Sequence, residues 1–264
     1  MPEYLSAEPN LYHLIFLLVM GLVAGTINAM AGGGGLLTIP SFMALGLSPL
    51  QAIATNYPTA IAANSSASLR FWQHGELDLK TEWPRAIITF IFGIVGGIAI
   101  QHIPNDFLKI LIPVLLIIIS IWLVMNPQAG KIKAAARLSP MQYSILILPF
   151  LGWYDGFFGP CSGTFYALTA VSLLGTTLSK ATANAKFYNL FGGLGGFVSF
   201  IASPHIHWLY AIVVMVGTFA GSYLGASLVI KHGTRLVRIA LVIVSVAMSI
   251  KLLFDQPFFQ HLFK

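Results

Sequence analysis

The chain has 264 residues, of which 57% are hydrophobic and 8% are charged. Because soluble domains carry about 25% charged residues, this composition excludes a globular protein covered by a water-facing surface. The formal net charge of +6 does not indicate a nucleic-acid partner, since the basic residues lie between apolar runs, where the positive-inside rule expects them.

Five apolar runs are long enough to cross a bilayer as helices. A hydrocarbon core of about 30 Å requires about 20 apolar residues in helical form. The runs cover residues 11–31, 86–103, 107–125, 208–230 and 236–254. They are unbroken, which is the pattern of helices rather than of alternating membrane strands. The sequence therefore predicts an all-α polytopic membrane protein with about eight to ten membrane segments.

The sequence predicts two homologous halves. Three residue pairs match at an offset of 127, and four more match at 129 after a two-residue shift. The pairs are Gly25 with Gly152, Asn28 with Asp155, Gly32 with Gly159, Gly34 with Gly163, Gly46 with Gly175, Ala52 with Ala181 and Ala54 with Ala183. We therefore expect a first membrane repeat at 1–130, a cytoplasmic linker at 131–140 and a second membrane repeat at 141–264.

Each half also contains a short apolar piece, at 36–45 and at 164–174. A helix of about 10 residues is only about 15 Å long, so each piece is either re-entrant or half of a broken crossing. Basic residues favour a topology with three cytoplasmic loops, inverted halves and both termini outside, as in many secondary transporters. They are Arg70, Lys80 and Arg85 in the first half, Lys131, Lys133 and Arg137 in the linker, and Lys231, Arg235 and Arg238 in the second half.

A glycine-rich break precedes each short piece, at residues 32–35 and at residues 159–163. At membrane depth, non-helical backbone survives only where it is buried in protein or lines a wet cavity. Free amides at the start of a short helix bind anions, which makes Gly33, Gly34 and Ser162 candidate ligands. A tight interhelical turn explains one such break equally well, but two in corresponding places favour a functional site.

The spans that follow the breaks carry polar residues in apolar surroundings. Lys186 precedes an apolar, glycine-rich run, and Asp155 lies well inside an apolar segment. Ionisable groups inside bilayers are rare and are usually functional or paired. Two hypotheses stay open: Lys186 attracts an anion that Asp155 positions or neutralises, or the two side chains form a pair that holds the halves together. The amides predicted to complete the site are those of Asn28, Asn56, Asn184 and Asn189.

No set of residues in the sequence indicates catalysis or a bound metal. Cys161 and Ser162 are candidate nucleophiles, but no histidine is tied to either. We therefore predict a protein that is not an enzyme and has no catalytic residue, metal or cofactor. Gly217, Gly221 and Gly225 recur every four residues and predict a smooth helix face for close packing.

Residues 24–40 (AGTINAMAGGGGLLTIP), 154–160 (YDGFFGP) and 180–189 (KATANAKFYN) carry the most distinctive motifs. Together with residues 52–56 they resemble the sulfite exporter TauE/SafE family, also called the toluene-sulfonate uptake permease family. The resemblance implies a multi-pass permease of the bacterial inner membrane for sulfur-containing anions such as sulfite or organosulfonates. Close relatives tend to have an acid where Asn28 stands and a basic residue where Tyr57 stands, so symmetric ion coupling through both halves is not expected here.

The combined prediction is a secondary transporter for small anions with alternating access between inverted halves. The predicted substrate-binding residues are Asn28, Gly33, Gly34, Asn56, Asp155, Ser162, Asn184, Lys186 and Asn189. The expected partners are a small anion, the lipid bilayer and a coupling ion, either a proton or sodium. The sequence leaves the substrate, the direction of transport and homo-oligomerisation open. The alternatives are a membrane scaffold or assembly subunit and a membrane-embedded enzyme.

Overall fold

The computed structural model describes residues 10–125 and 135–232, and the structural statements below concern those residues. Within them the chain is helical and contains no β-strand, which confirms the predicted all-α class. The helices are α1 (Leu11–Ala31), α2 (Gly35–Ala44), α3 (Pro49–Gln73), α4 (Leu79–Gln101), α5 (Asn105–Met125), α6 (Pro140–Leu146), α7 (Leu148–Phe157), α8 (Ser162–Leu174), α9 (Leu178–Phe200) and α10 (Trp208–His232). Linker residues 131–134 and the predicted span at 236–254 lie outside the described residues.

Three of the described helices, α1, α4 and α10, are long and apolar enough to cross a membrane. Two of them begin where the apolar runs predict, at Leu11 and Trp208. The α4 helix instead begins at Leu79 rather than at residue 86, because the Asp78 side chain accepts a hydrogen bond from Lys80 N–H and caps the helix. Its first turns are polar but remain helical.

The first group of parallel long helices consists of α1, α3 and α10. Residues in contact advance together along these helices, which fixes their common direction. The contacts are Gly21 with Val214, Thr26 with Gly225, Thr55 with His207, and Arg70 with Ser227. The glycines at positions 217, 221 and 225 all lie against the backbone of α1, which confirms the predicted packing face.

The second group of parallel long helices consists of α4, α7 and α9. The contacts that fix its direction are Thr89 with Gly152, Gly93 with Gly156, Thr89 with Tyr188, and Gln101 with Ser199. The two groups meet along α3 and α9, which run in opposite directions. Tyr57 lies against Gly196, Ile61 faces Gly193, and Asn64 bonds to Asn189.

The short helices α2 and α8 turn back instead of continuing the helix before them. The turn into α2 uses Gly32 in the left-handed region (φ 71°), and the turn into α8 uses Gly159 (φ 89°) and Cys161 (φ 63°). Because α1 and α3 point the same way, α2 must return toward the end from which α1 started. Likewise, Leu173 near the end of α8 accepts hydrogen bonds from the chain just ahead of α6. Each short piece is therefore one arm of a helical hairpin that ends near the middle of the molecule.

Candidate functional site

The polar residues of the predicted site collect where the two helical groups meet, between the crossing of α3 with α9 and the tips of the two hairpins. Asn28 is near the end of α1, Asp155 is near the end of α7, and Lys186 lies in the middle of α9. All three side chains are buried, with exposures of 7%, 2% and 1%. Buried polar groups require hydrogen-bond partners, so their partners define the chemistry of the site.

A continuous chain of hydrogen bonds connects the two halves. Asn28 Nδ2 donates to Asn64 Oδ1 at 2.8 Å, and Asn64 Nδ2 donates to Asn189 Oδ1 at 2.8 Å. Asn189 Nδ2 then donates to Ser162 Oγ at 2.9 Å, and Ser162 Oγ donates to Asp155 Oδ1 at 2.7 Å. Every donor points toward Asp155, so successive bonds polarise one another toward the carboxylate.

Lys186 lies beside this chain and does not pair with Asp155. Its Nζ donates to the carbonyl oxygen of Asn28 in the last turns of α1. The ion pairs of the described residues do not include Asp155 with Lys186, so the direct pair considered from the sequence is not the arrangement found. Gly163 adjoins the ammonium, since a Cβ at this position would lie 3.1 Å from Lys186 Nζ and 3.0 Å from Asn189 Nδ2.

The N-termini of the two short helices meet next to Lys186. The backbone of Gly32 packs on that of Gly163 and Thr164, and a Cβ on Gly35 would lie 3.1 Å from Pro160. The first N–H groups of a helix have no partner inside the helix, and its N-terminus carries about half a positive charge. Two such helix ends and one ammonium therefore meet at the centre of the protein, beside the Asp155 carboxylate and the Asn28 carbonyl near the end of α1.

The predicted ligands Gly33 and Gly34 form the turn into α2. The Gly33 carbonyl accepts from Leu36 N–H at 3.0 Å, and a Cβ on Gly34 would lie 2.9 Å from Cβ of Asn28. A side chain at residue 34 would therefore collide with the asparagine that begins the hydrogen-bonded chain. This close approach explains the glycine, whose lack of a Cβ lets the tip of the hairpin reach α1.

Two predicted site residues lie apart from the hydrogen-bonded chain. Asn56 Oδ1 accepts from Thr38 Oγ1 at 2.5 Å and from Thr59 Oγ1 at 3.2 Å, so this side chain joins α2 to α3. Asn184 is buried on α9, and its Oδ1 has no hydrogen-bond partner among the described residues. The structure thus brings together Asn28, Asp155, Ser162, Lys186 and Asn189, with Gly33 and Gly34 at their edge.

Sequence reasoning did not select three residues that the structure places in this region. Asn64 is the central link of the chain, but its counterpart at an offset of 129 is Gly193, so the repeat comparison did not mark it. The Tyr57 hydroxyl donates to the Gly156 carbonyl, and Tyr57 is the counterpart of Lys186 at the same offset. The third residue, Tyr166, interacts electrostatically with Asp155 from α8, and nothing in the sequence pattern distinguishes it from a core tyrosine.

A second polar cluster lies near the start of α4. Arg85 Nη1 contacts Glu82 Oε2 at 2.6 Å, and the Tyr188 hydroxyl of α9 donates to the same oxygen. Just outside the span, the Thr81 hydroxyl donates to Asp78 at 2.6 Å and holds the pKa of that carboxyl below its usual value. The cluster joins α4 to α9 immediately before Asn189, and the ring of Tyr188 packs on that of Tyr166 with 5.7 Å between the ring centroids.

Comparisons with known proteins agree with this architecture. Residues 17–252 match the family described as sulfite exporter TauE/SafE. The probable membrane transporter protein YfcA of Escherichia coli (strain K12) is 38% identical over 248 residues, which are 94% of this chain and 91% of that protein. A probable membrane transporter protein of Haemophilus influenzae is 38% identical over 246 residues, covering 93% and 96%. The probable membrane transporter protein ORF9 of Sinorhizobium sp is 34% identical over 245 residues, covering 92% and 94%. No solved structure matches the chain.

The family match over residues 17–252 and the identity to these relatives show that the chain belongs to the sulfite exporter TauE/SafE family of membrane transporters.

Proposed function

We propose that the protein is a secondary transporter that carries small anions across the bacterial inner membrane by alternating access between two inverted halves. One observation carries this proposal: the ammonium of Lys186 is buried among amides and hydroxyls where the two halves meet, and it has no carboxylate in an ion pair within the described residues. A lysine at membrane depth costs about 2.5–3.5 kcal/mol on insertion scales. Attraction of an anion is a function that offsets this cost.

Reciprocal contacts support the inverted relation of the halves. The Thr89 hydroxyl of α4 donates to the Tyr188 carbonyl of α9 at 3.1 Å, and the Thr218 hydroxyl of α10 donates to the Thr59 carbonyl of α3 at 3.1 Å. Thr218 follows Thr89 by 129 positions, and Tyr188 follows Thr59 by the same number. Because α3 and α9 run in opposite directions, a rotation that exchanges these two contacts also inverts the halves.

A second pair of contacts obeys the same exchange. Gly25 of α1 lies against Thr218, and Gly152 of α7 lies against Thr89. Gly152 follows Gly25 by 127 positions, which is the other offset found in the sequence. These contacts favour repeats at 1–130 and 141–264, joined by the linker at 131–140.

The tips of the hairpins are where we place the anion. Amide N–H groups of Gly33 and Gly34, side-chain amides of Asn28 and Asn189, and the Ser162 hydroxyl are the donors proposed for its oxygen atoms. Lys186 supplies the positive charge, and its ammonium exchanges the Asn28 carbonyl for the anion. The side-chain donors Asn28, Asn189 and Ser162 already donate within the chain of hydrogen bonds, so the anion replaces these bonds rather than adding to them.

The hairpins also suggest how the site opens to each side in turn. The hairpin of α1 and α2 enters from one end of the molecule, and the hairpin of α7 and α8 enters from the opposite end. Rocking of one helical group against the other along α3 and α9 would open a path beside one hairpin and close the path beside the other. The site would remain near the middle while access changes.

The family name and the resemblance of the motifs suggest sulfur-containing anions such as sulfite or organosulfonates as the substrates. These anions present oxygen atoms to amide donors and carry the negative charge that Lys186 attracts. An enzyme remains the less favoured alternative because no nucleophile–base–acid set converges in the described residues. A scaffold subunit would use the same polar residues only to join helices.

Ligand-dependent thermal stabilisation of the purified protein tests the proposal. Sulfite, thiosulfate, methanesulfonate and acetate are compared, and the sulfur-containing anions are expected to raise the unfolding temperature. A hydrogen bond to a charged group contributes about 1.5–3 kcal/mol, so Lys186→Ala should weaken anion binding about 10- to 100-fold. The matched control is Lys180→Ala, because Lys180 is an exposed lysine on the same helix and its loss should leave binding unchanged.

The role of Lys186 is separated from a structural role by a double variant. If Lys186 and Asp155 merely balance each other's charge, Asp155→Asn combined with Lys186→Met should recover both folding and transport. If Lys186 attracts the anion, the double variant should fold but fail to transport. Lys186→Arg should also impair transport, because a planar guanidinium does not replace a point charge. Transport by the double variant near the parental rate would contradict the proposed role.

A further inference from the structure

The two oxygen atoms of the Asp155 carboxylate have different surroundings. Oδ1 accepts the hydrogen bond from Ser162 at 2.7 Å, whereas Oδ2 has no hydrogen-bond partner among the described residues. The side chain is 2% exposed. A buried carboxylate oxygen without a donor is costly, so a native structure that retains one requires an explanation.

The groups that face Asp155 do not remove this cost. Tyr57 approaches from α3, Tyr166 from α8 and Lys186 from α9, and Tyr154 lies next to it on α7. The neighbouring α4 presents no titratable group to Asp155 in the described part of the chain. The Tyr166 hydroxyl, which carries a hydrogen of its own, interacts with the carboxylate but is not in hydrogen-bonding geometry with Oδ2 among those residues. A proton on Oδ2 would turn that oxygen into a donor that the Tyr166 oxygen can accept.

The backbone of α9 is shaped to receive Oδ2. A Cβ on Gly192 would overlap Oδ2 and lie 2.9 Å from Cγ of Asp155. The adjacent Gly193 is different, because the nearest atom to a Cβ there would be Ile61 Cγ1 at 3.9 Å. Of these two adjacent glycines, only Gly192, which lies under the carboxylate, is therefore required to lack a side chain.

We propose that Asp155 Oδ2 takes up one proton in each transport cycle and releases it on the other side of the membrane together with the anion. The inference rests on the proposed transport function and names its coupling ion. The carboxylate gains the proton from one side as an O–H bond, and the same bond breaks on the other side. No redox step or further reactant is involved.

The hydrogen-bonded chain connects this proton to the anion site. Ser162 has one hydroxyl hydrogen and two acceptors, Asp155 Oδ1 at 2.7 Å and the Gly159 carbonyl at 2.8 Å. Protonation makes Asp155 the weaker acceptor, so the Ser162 hydrogen turns to Gly159. Asn189 donates to the Ser162 oxygen, and without the carboxylate charge at its end this bond is less strongly polarised, so the Asn189 amide exchanges Ser162 for the anion at a lower cost.

A proton fits this position better than a metal cation. Sodium and other hard cations need several oxygen ligands around them, and the backbone of Gly192 closes the space beside Oδ2. Asn28 occupies the corresponding position of the first half and cannot titrate, so the stoichiometry is one proton. One proton carried with a monovalent anion moves no net charge.

The experiment uses proteoliposomes of the full chain with radiolabelled methanesulfonate, whose charge does not change with pH. With the membrane potential clamped, a lower pH outside the vesicles than inside is expected to drive accumulation of methanesulfonate by the parental protein. Asp155→Asn should abolish this pH-driven accumulation in a variant that thermal unfolding shows to be folded, whereas Lys180→Ala, which changes an exposed lysine, should accumulate methanesulfonate as the parental protein does. A sodium gradient should have no effect. Accumulation driven by sodium, or driven by pH in Asp155→Asn, would overturn the inference.

An infrared titration tests the proton site without any anion. The parental protein should show a protonated-carboxyl band that titrates, and Asp155→Asn should remove it. Gly192→Ala should shift the band, whereas the control Gly193→Ala should leave it unchanged. A band that persists in Asp155→Asn refutes the proton site. If the band behaves as expected but no anion binds, the proposed transport function fails and the proton site stands.

Discussion

Asn64 of α3 and Asn189 of α9 share a 2.8 Å hydrogen bond although 125 positions separate them in the chain. It is the bond at which the polar residues of the first half join those of the second. Asn64 accepts from Asn28, and Asn189 donates to Ser162. Each of the two amides therefore accepts one hydrogen bond through its oxygen and donates one through its nitrogen. Loss of either amide interrupts the chain of hydrogen bonds at its centre.

A double-mutant cycle of Asn64→Ala and Asn189→Ala measures this bond. Hydrogen bonds between membrane helices contribute about 0.6 kcal/mol on average and at most about 1.7 kcal/mol, and the coupling energy between the two changes should lie in that range. The measurement is the free energy of unfolding in mixed micelles. Ser65→Ala, on the same helix, is the control and should not couple to Asn189→Ala. A coupling energy of zero would show that the chain of hydrogen bonds is not continuous between Asn64 and Asn189.

Gly163→Ala should weaken anion binding by about tenfold or more, which corresponds to about 1.4 kcal/mol. The added methyl group would lie 3.1 Å from Lys186 Nζ and 3.0 Å from Asn189 Nδ2, and it would displace both donors from the proposed anion. Binding is measured by calorimetry or by the anion-dependent unfolding temperature. Gly193→Ala serves as the control for a glycine that has free space. Parental affinity in Gly163→Ala would move the anion site away from α8.

Thr89→Val and Thr218→Val should have similar effects, because each removes one of the two reciprocal hydroxyl–carbonyl bonds. Each change should lower the free energy of unfolding by about 0.6 kcal/mol, the average for a hydrogen bond between membrane helices. The two sites share no partner, so the changes should be additive. A large loss of unfolding free energy in one variant and none in the other would contradict the symmetry of the halves.

Gly221→Ile should destabilise the contact between α1 and α10. A Cβ on Gly221 would lie 2.8 Å from the Leu22 carbonyl carbon, and overpacking of this kind costs about 1–3 kcal/mol. Ala220→Ile is the matched control, because Ala220 is exposed on the same helix and the larger side chain would face lipid. Equal unfolding free energies for the two variants would argue against the close approach of these helices.

Labelling of single cysteines in a Cys161→Ser background tests the orientation. Ala202→Cys, between α9 and α10, and Pro104→Cys, between α4 and α5, should react with an impermeant thiol reagent added from the periplasm. His74→Cys and Ala136→Cys should not react, since their loops are expected to be cytoplasmic. Reaction at residue 74 together with protection at residue 202 would reverse the orientation but keep the inverted halves.

Much of the helical framework follows from local sequence. The run 11–31 became α1 with the same bounds because length and apolarity are properties of the segment itself. The short pieces at 36–45 and 164–174 also appear as helices of nearly these bounds, since α2 covers Gly35–Ala44 and α8 covers Ser162–Leu174. The motifs at the glycine runs identified the family, and the family comparison confirmed it.

Tertiary structure decided which polar groups meet. The sequence left two hypotheses open for Asp155 and Lys186, an anion site or a pair. In the fold, Asp155 bonds to Ser162 while Lys186 bonds to the Asn28 carbonyl. The sequence also ranked Asn56 with the site and passed over Asn64, because both are amides in the same polar helix. Their roles differ because only Asn64 faces Asn189 across the antiparallel crossing of α3 and α9.

The sequence by itself determined that this protein is a helical membrane protein, and it predicted two similar halves, because hydrophobic length, glycine runs and an internal offset are visible in the order of residues alone. The fold alone decided that α2 and α8 turn back to form hairpins and that an acid and a lysine of neighbouring segments take different partners. Those outcomes depend on how helices from distant parts of the chain pack, because small residues let backbones approach closely, as Gly25 does on Thr218 and Gly152 on Thr89.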